Sequence, residues 1–265
     1  MGYISKPLPG CFVDWTHPLS RGLVGCWLFN EHAGQAFADL AAFQSCYGIL
    51  GSPLYRGGPD GCVLDVSDGL SRFLVNRKGG PATTDSPITI LAKARTSVAA
   101  SKALISWGEV TDTNYTFTFG VAVGGTSGIG FDGDTGITST LTYPLNAWTV
   151  LGVAQRGIAD RTFFADGRLQ VDNSHHAYES KACPGGLSIA SSFSNSSERT
   201  EYRWTGQISW IYVWGRALTD TEMMDVFHAP YANILSPSYR RYFIPAAGGG
   251  LSIPVAMASY RQRWR

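Results

Sequence analysis

The sequence has few charged side chains and no long apolar run. Charged residues make up 15% of the 265-residue chain. No apolar stretch approaches the roughly 20 residues that a membrane-spanning helix needs. The N-terminus also lacks a basic segment followed by an apolar core, which is the pattern of a secretory signal peptide. We therefore expect no membrane partner and no signal-directed secretion.

Paired-cysteine motifs are absent as well. No C-x-x-C spacing occurs and the number of cysteines is odd, which argues against a zinc motif or a complete set of disulfides. Two of them lie in strand-like runs, where a buried thiol behaves as a small apolar side chain. We expect free thiols at all five positions, which are Cys11, Cys26, Cys46, Cys62 and Cys183.

Acidic residues are missing from the C-terminal part of the chain. Nothing acidic follows Asp225, whereas five of the 21 basic residues do. The preceding body therefore carries 16 basic against 20 acidic side chains, and the tail is basic. This asymmetry predicts different partners for the two parts. Because the five arginines are spread out and form no compact basic face, we do not expect nucleic acid to be one of them.

Glycine and aromatic residues are plentiful. The chain contains 31 glycines and 12% aromatic residues, a composition typical of many short strands joined by tight turns. Residues 87–94 alternate Ile88, Ile90 and Ala92 with another set, Thr89, Leu91 and Lys93, as the two faces of a strand do. Asp166-Gly167 separates two apolar runs and predicts a two-residue hairpin turn.

A strand, a turn and a short helix are predicted over residues 203–227. The apolar run after Gly206 stops at Gly215-Arg216, and Thr219 with Glu222 forms a capping-box pattern at the start of a helix. Leu218 and Met223 occupy the positions of a hydrophobic staple. Three aromatic residues then share the outward face of the predicted strand, and these are Trp210, Tyr212 and Trp214.

These motifs, taken in order, resemble those of laminin-G-like or concanavalin-A-like domains. The resemblance rests on residues 22–30, 61–75, 147–168 and 203–227. It implies an all-β fold, a two-sheet antiparallel jelly-roll sandwich over residues 22–229 with one short helix near its C-terminal end. The proline-punctuated residues 1–21 are interpreted as an extended N-terminal arm, and residues 230–265, rich in proline, glycine and arginine, as a C-terminal tail.

The sequence lacks the carboxylate spacing of glycoside hydrolases that use this sandwich. Those enzymes carry Glu-x-Asp-x-x-Glu or Glu-x-Asp-x-Glu on one strand, and neither pattern occurs here. Residues 128–133 match a dinucleotide fingerprint, but no helix follows to hold a pyrophosphate. We therefore expect a non-enzyme without a cofactor. The family resemblance leaves a calcium ion open, with loop aspartates as ligands, namely Asp112, Asp132 and Asp134.

The flanks resemble laminin-G-like proteins of tailed bacteriophages, through residues 15–19, 230–231 and 237–241. This implies a virion structural protein, a capsid decoration or other surface subunit. It would be made in the host cytoplasm, displayed on the virion surface as a homo-oligomer and anchored by its arms to neighbours such as the major capsid protein. The alternative is a carbohydrate-binding, lectin-like module for host or glycan adhesion.

Two sets of contact residues follow from these hypotheses. Trp210, Tyr212 and Trp214 form what we call the aromatic row. This row must be covered, because leaving such rings in water is unfavourable. Either a terminal arm of the same chain covers it, or a neighbouring protein or glycan does. The partner-contact candidates are Trp210, Tyr212, Trp214, Arg240, Arg241, Arg261, Arg263, Trp264 and Arg265. The glycan-contact candidates are Trp107 and Tyr115.

Overall fold

The computed structural model describes residues 5–32, 36–41, 44–50, 54–69, 72–75, 86–108, 117–122, 126–131, 135–157, 159–173, 186–194, 197–199 and 202–235. The strands within these ranges are β1 (Phe12–Val13), β2 (Leu23–Trp27), β3 (Ala36–Asp39), β4 (Gln44–Leu50), β5 (Leu54–Gly58), β6 (Gly61–Asp65), β7 (Arg72–Val75), β8 (Ile88–Thr96), β9 (Lys102–Gly108), β10 (Phe117–Ala122), β11 (Thr126–Phe131), β12 (Thr135–Thr142), β13 (Thr149–Gly157), β14 (Asp160–Ala165), β15 (Arg168–Asp172), β16 (Gly186–Ile189), β17 (Ser192–Ser194), β18 (Ser197–Arg199), β19 (Gly206–Trp214) and β20 (Ile234–Leu235). A 3-10 helix spans Pro18–Ser20 and helix α1 spans Asp220–His228.

Two antiparallel sheets of eight strands form a jelly-roll sandwich. The first sheet has the order β15-β14-β13-β8-β19-β6-β5, with β2 also paired to β19, and the second has the order β12-β11-β10-β9-β16-β7-β4-β3. The core between them combines Phe119 of the second sheet with Phe163 and Ile211 of the first. The all-β sandwich fold is thus confirmed, with α1 the one α-helix among the described residues.

Strand β8 shows how the sequence pattern sets the two faces of the first sheet. Ile88, Ile90 and Ala92 belong to the core between the sheets, as their alternation predicts. Leu91 points the other way, into a second apolar cluster on the outer face of the first sheet. The first sheet is therefore buried on both sides in this region.

Strand β19 carries a bulge that the sequence does not reveal. Its register against β8 shifts between Ile208 and Trp210, so Ser209 is the extra residue. After the shift, Ile211 and Val213 point into the core, whereas the aromatic row faces outward. The bulge thus sets which residues of β19 lie on each face.

The predicted turn and helix start are both confirmed. Asp166 and Gly167 have positive φ angles of 46° and 80° and join β14 to β15. At the start of α1, the Thr219 side chain accepts a hydrogen bond from the Glu222 backbone, and the Glu222 carboxylate accepts one from the Thr219 backbone. Leu218, which the sequence pattern predicts to be part of a hydrophobic staple, is fully buried in the outer cluster.

Both terminal segments pack on the outer face of the first sheet. Strand β1 pairs with β20, in the register Val13 to Ile234, and these two side chains are buried. Phe12 and Trp15 instead remain 41% and 49% exposed, so the arm packs through Val13 and not through these two aromatic residues. Residues 230–235, interpreted as the start of the tail, also belong to this packed layer, since Tyr231 is buried there.

Candidate functional site

The aromatic row lies under the terminal segments of its own chain. Trp210, Tyr212 and Trp214 are at most 1% exposed. Their rings follow one another at centroid distances of 5.3 and 5.6 Å. The Tyr212 hydroxyl donates to the carbonyl of Pro230 at 2.7 Å, and the Trp214 indole donates to that of Leu19 at 2.7 Å. Both terminal segments thus cover the row and accept hydrogen bonds from Tyr212 and Trp214, whereas the indole N–H of Trp210 is buried without a hydrogen-bond partner among the described residues.

This burial corrects the assignment of the three residues as partner contacts. A side chain that is covered by its own chain offers a partner no surface. The sequence left two possibilities for what covers the row, a terminal arm of the same chain or a neighbouring protein or glycan. The structure shows that a terminal arm covers it. The other candidates for partner contact lie outside the described residues, and these are Arg240, Arg241, Arg261, Arg263, Trp264 and Arg265.

Trp107 is also corrected as a glycan contact. It is 2% exposed and lies in the core between the sheets, edge-on to Phe117 with 5.8 Å between ring centroids. A sugar cannot reach it, because β9 directs this residue inward. Tyr115 lies outside the described residues, as do the aspartates at 112, 132 and 134 considered for calcium.

A buried polar cluster ties both terminal segments to the sheet. Asp60 accepts hydrogen bonds from Lys93 at 2.7 Å, from Ser209 at 3.3 Å and from Tyr231 at 3.3 Å. Lys6 of the arm donates to the carbonyl of Ser209 at 2.6 Å, and also to that of Cys62. Each charged or polar group of the cluster is therefore partnered, which offsets the cost of burying it.

Burial shifts the pKa values in this cluster. Desolvation lowers the pKa of Lys6 to about 7, against the opposing attraction of Asp60. Burial also raises the pKa of the Tyr231 phenol well above its usual range, and the Asp60 charge adds to that rise. The cluster therefore serves the fold, by holding Lys6 and Tyr231 of the two terminal segments on the sheet.

Beyond this cluster, the outer face of the first sheet ends in a line of polar side chains and one indole. We call it the polar strip, and its members are Trp148, Arg95, Gln207, Asp65 and Arg56. They come from β13, β8, β19, β6 and β5, which are neighbours in that order, Trp148 directly preceding β13. Four strand spacings of about 4.8 Å give the strip a length of about 19 Å.

Backbone features place the members of the strip side by side. Gln207 is paired with Arg95 on one side and with Asp65 on the other. Gly206 allows the close approach of β19 to β8, since a Cβ there would lie 2.1 Å from the carbonyl oxygen of Arg95. Asn146, with a φ of 61°, lies in the turn before β13, and the pairing of Thr149 with Ala94 places the preceding Trp148 beside Arg95.

One end of the strip is fully paired. Asp65 accepts hydrogen bonds from Gln207 at 2.9 Å and from the Ser67 backbone at 2.9 Å. Its Oδ2 atom also lies 2.6 Å from Nε of Arg56. Burial pushes the pKa of Asp65 upward, but these hydrogen bonds and the Arg56 charge outweigh it and hold the pKa below its usual value. Asp65 therefore stays ionised.

The other end has donors without partners. The guanidinium carbon of Arg95 lies 5.6 Å from the centre of the Trp148 ring. Among the described residues, the Arg95 guanidinium and the Trp148 indole N–H have no hydrogen-bond partner, and both residues are partly exposed. This end of the strip therefore presents free donors and an aromatic surface together.

A metal centre is not formed by the described residues, where no three histidine, cysteine, aspartate or glutamate side chains come together. Cys11, Cys26 and Cys62 are free thiols. In the same ranges, no helix is long and apolar enough to cross a membrane.

The sequence indicated only part of this strip. Trp148 lies in residues 147–168, one of the stretches that resemble the family, but the four residues beside it come from strands that are far apart in the chain. The outward position of Arg95 could be read from the alternation of β8, in which Ala94 faces inward. That Gln207 and Asp65 lie next to it depends on the strand order, which no local pattern encodes.

The fold resembles solved binding domains at low sequence identity. The fourth domain of AbnA, a GH43 extracellular arabinanase from Geobacillus stearothermophilus solved with arabinotriose, matches with a TM-score of 0.57 and 12% identity, over 77% of this chain and 97% of that domain. The binding domain of Paraclostridial Mosquitocidal Protein 1 matches with a TM-score of 0.57 and 14% identity, over 81% of this chain and 53% of that one.

The binding domain of botulinum neurotoxin DC, solved with SialylT, matches with a TM-score of 0.56 and 9% identity, over 80% of this chain and 52% of that one. This chain thus spans about half the length of either toxin domain. No family model and no curated protein matches the sequence. At these identities the similarities show the fold, a jelly-roll sandwich shared with binding domains.

Proposed function

We propose that this protein is a non-catalytic carbohydrate-binding domain and that the polar strip contacts the sugar. The observation that carries the proposal is the pair of donors without a partner among the described residues, on Arg95 and Trp148, at a partly exposed aromatic ring. A sugar ring presents hydroxyl groups at its edge and C–H groups on its faces. It is complemented by an aromatic surface flanked by planar hydrogen-bonding side chains.

The structural similarities support this proposal without carrying it. One similar domain is described with arabinotriose and another with SialylT, and the same sandwich serves in both. The proposed sugar contact rests on the contacts within the polar strip of this chain.

Glycan binding by the full-length chain tests the proposal. We expect the wild type to bind members of a broad glycan array, and Trp148→Ala to weaken the strongest of these interactions about tenfold in titration calorimetry. Trp15→Ala is the matched control, because Trp15 is 49% exposed but belongs to the N-terminal arm. A wild type that binds no glycan, or a Trp148→Ala variant that binds as well as the wild type, contradicts the proposal.

A second candidate is the virion surface subunit, favoured by the basic composition that follows Leu235. Five arginines and no acidic residue follow this position. In this proposal residues 236–265 would bind carboxylates of neighbouring subunits such as the major capsid protein. Unchanged incorporation into particles after truncation at Leu235 would exclude that role. Solution mass would test the homo-oligomer.

A further inference from the structure

Arg95 carries the one unbalanced charge of the polar strip. Arg56 is paired with Asp65, and next to the strip Lys93 is paired with Asp60 at 2.7 Å. Among the described residues no carboxylate approaches Arg95, whose guanidinium instead lies over the Trp148 ring. The strip therefore has a local charge of +1 at the end where its donors are free.

The geometry of this end favours a planar anion. A guanidinium presents five N–H donors in a rigid fork that matches the two oxygens of a carboxylate. Packing against an indole limits the rotation of the side chain, so less freedom is lost when the fork binds. The indole N–H of Trp148 adds a further donor beside it. A neutral sugar would leave the charge of Arg95 without a partner.

We propose that the ligand of the strip is an acidic oligosaccharide whose carboxylate pairs with Arg95. This inference rests on the proposed carbohydrate-binding function and specifies the class of sugar. The indole of Trp148 then contacts the sugar ring that bears the carboxylate or the adjacent one. Asp65 does not repel the anion strongly, because Arg56 neutralises the charge of Asp65 and Gln207 donates a hydrogen bond to its carboxylate. Gln207 also lies between Asp65 and Arg95.

The test compares acidic sugars with neutral sugars of the same skeleton. The probes are oligogalacturonate and its methyl ester, sialyllactose and lactose, and lactose with and without a sulfate ester. Each is titrated against the full-length protein at two salt concentrations. We expect at least a tenfold preference for the carboxylate-bearing member of one or more pairs, and a loss of that preference in Arg95→Gln.

Two further variants keep the result interpretable. Arg95→Lys retains the charge without the fork, so we expect it to keep part of the preference. Arg21→Gln removes one positive charge near the opposite end of β19. There the backbone carbonyl of Arg21 accepts a hydrogen bond from the Arg216 side chain. It should leave the preference unchanged. Thermal unfolding of each variant establishes that it is folded.

The outcomes separate this inference from the proposed function. If the wild type binds neutral sugars as well as acidic ones, or if Arg95→Gln keeps the preference, the inference is wrong and carbohydrate binding stands. A preference for sulfate alone would also overturn it, because the anion would then not be a carboxylate. If no sugar of the panel or the array binds, the proposed function fails and the inference fails with it.

Discussion

The Nζ atom of Lys6 donates a hydrogen bond to the carbonyl oxygen of Ser209 at 2.6 Å. Ser209 is the bulge residue of β19, and its hydroxyl in turn donates to Asp60. The N-terminal arm is therefore attached at the bulge, which shifts the alternation of the β19 side chains between the two faces of the sheet. Its position protects the aromatic row, whereas Arg95 and Trp148 on the same sheet remain partly exposed.

The first prediction concerns the pH dependence of stability. The pKa of Lys6 is about 7 in the folded protein, against 10.5 for an ordinary lysine. Between these values the unfolded chain holds a proton that the folded protein has released, so the free energy of unfolding rises with pH. From pH 7 to 8.5 this contribution amounts to about 1.5 kcal/mol. The variant Lys6→Met should lack this rise in the free energy of unfolding.

Urea unfolding of both proteins at pH 7.0, 7.75 and 8.5 measures this difference. The range stays below 9.0 and 10.0, the ordinary pKa values of cysteine and tyrosine, near which the unfolded chain would release the protons that burial holds on Cys26 and Tyr212 in the folded protein. Equal slopes for the wild type and Lys6→Met would show that the buried lysine does not change its charge on folding.

The second prediction tests the packing of the N-terminal arm. Val13 is 2% exposed in the outer cluster, whereas its neighbour Phe12 is 41% exposed. Val13→Asp would bury a carboxylate without a partner, so we expect a loss of about 3 kcal/mol or detachment of the arm. Phe12→Asp should change the unfolding free energy by about 0.5 kcal/mol or less.

Tryptophan fluorescence reads out the detachment of the arm. Acrylamide should quench Trp210 and Trp214 only weakly in the wild type and in Phe12→Asp, because both indoles are buried. It should quench them strongly in Val13→Asp. Similar quenching in all three proteins would mean that the arm does not cover the row.

Local features of the fold are those that the sequence predicts well. The capping box at Thr219 and the hairpin turn at Asp166 depend on residues a few positions apart, and the structure confirms both. Trp107 was misassigned because alternation shows that two faces exist but does not show which one faces the core. The polar strip brings Arg95 beside Gln207 through strand pairing over a long stretch of chain, and such pairing leaves no local signal.

The third prediction concerns the start of helix α1. Glu222 receives two hydrogen bonds from Arg216, at 2.9 and 2.6 Å, and one from the Thr219 backbone at 2.9 Å. The bonds from Arg216 are the largest cause that lowers the pKa of Glu222 to about 2. Glu222→Gln should cost about 1–2 kcal/mol at pH 7, given that both side chains are 26% exposed.

The sign of the pH effect distinguishes this interaction from a simple loss of packing. The stabilisation is complete above pH 4.5, the ordinary pKa of the group, and disappears as the pH falls toward 2. The gap between the wild type and Glu222→Gln should therefore close over this range. Asp220→Asn is the control in the same helical turn, since Asp220 is 50% exposed and its ion pair with Arg156 is 3.5 Å long. We expect it to change stability by about 0.5 kcal/mol or less. A gap that is constant with pH would contradict the argument.

The last prediction concerns Gly206, which brings β19 against β8 beside the polar strip. A Cβ atom at this position would lie 2.1 Å from the carbonyl oxygen of Arg95, which is backbone and cannot rotate away. Gly206→Ala must therefore separate the two strands and should lower the free energy of unfolding by about 2 kcal/mol or more. Gly57→Ala is the matched control on β5, because nothing lies within 4 Å of a Cβ there.

Both variants are measured by urea unfolding and by glycan titration. Since the shift moves Gln207 away from Arg95, Gly206→Ala should also weaken sugar binding by the folded protein, whereas an unchanged affinity would show that the spacing of these two strands does not matter to the strip.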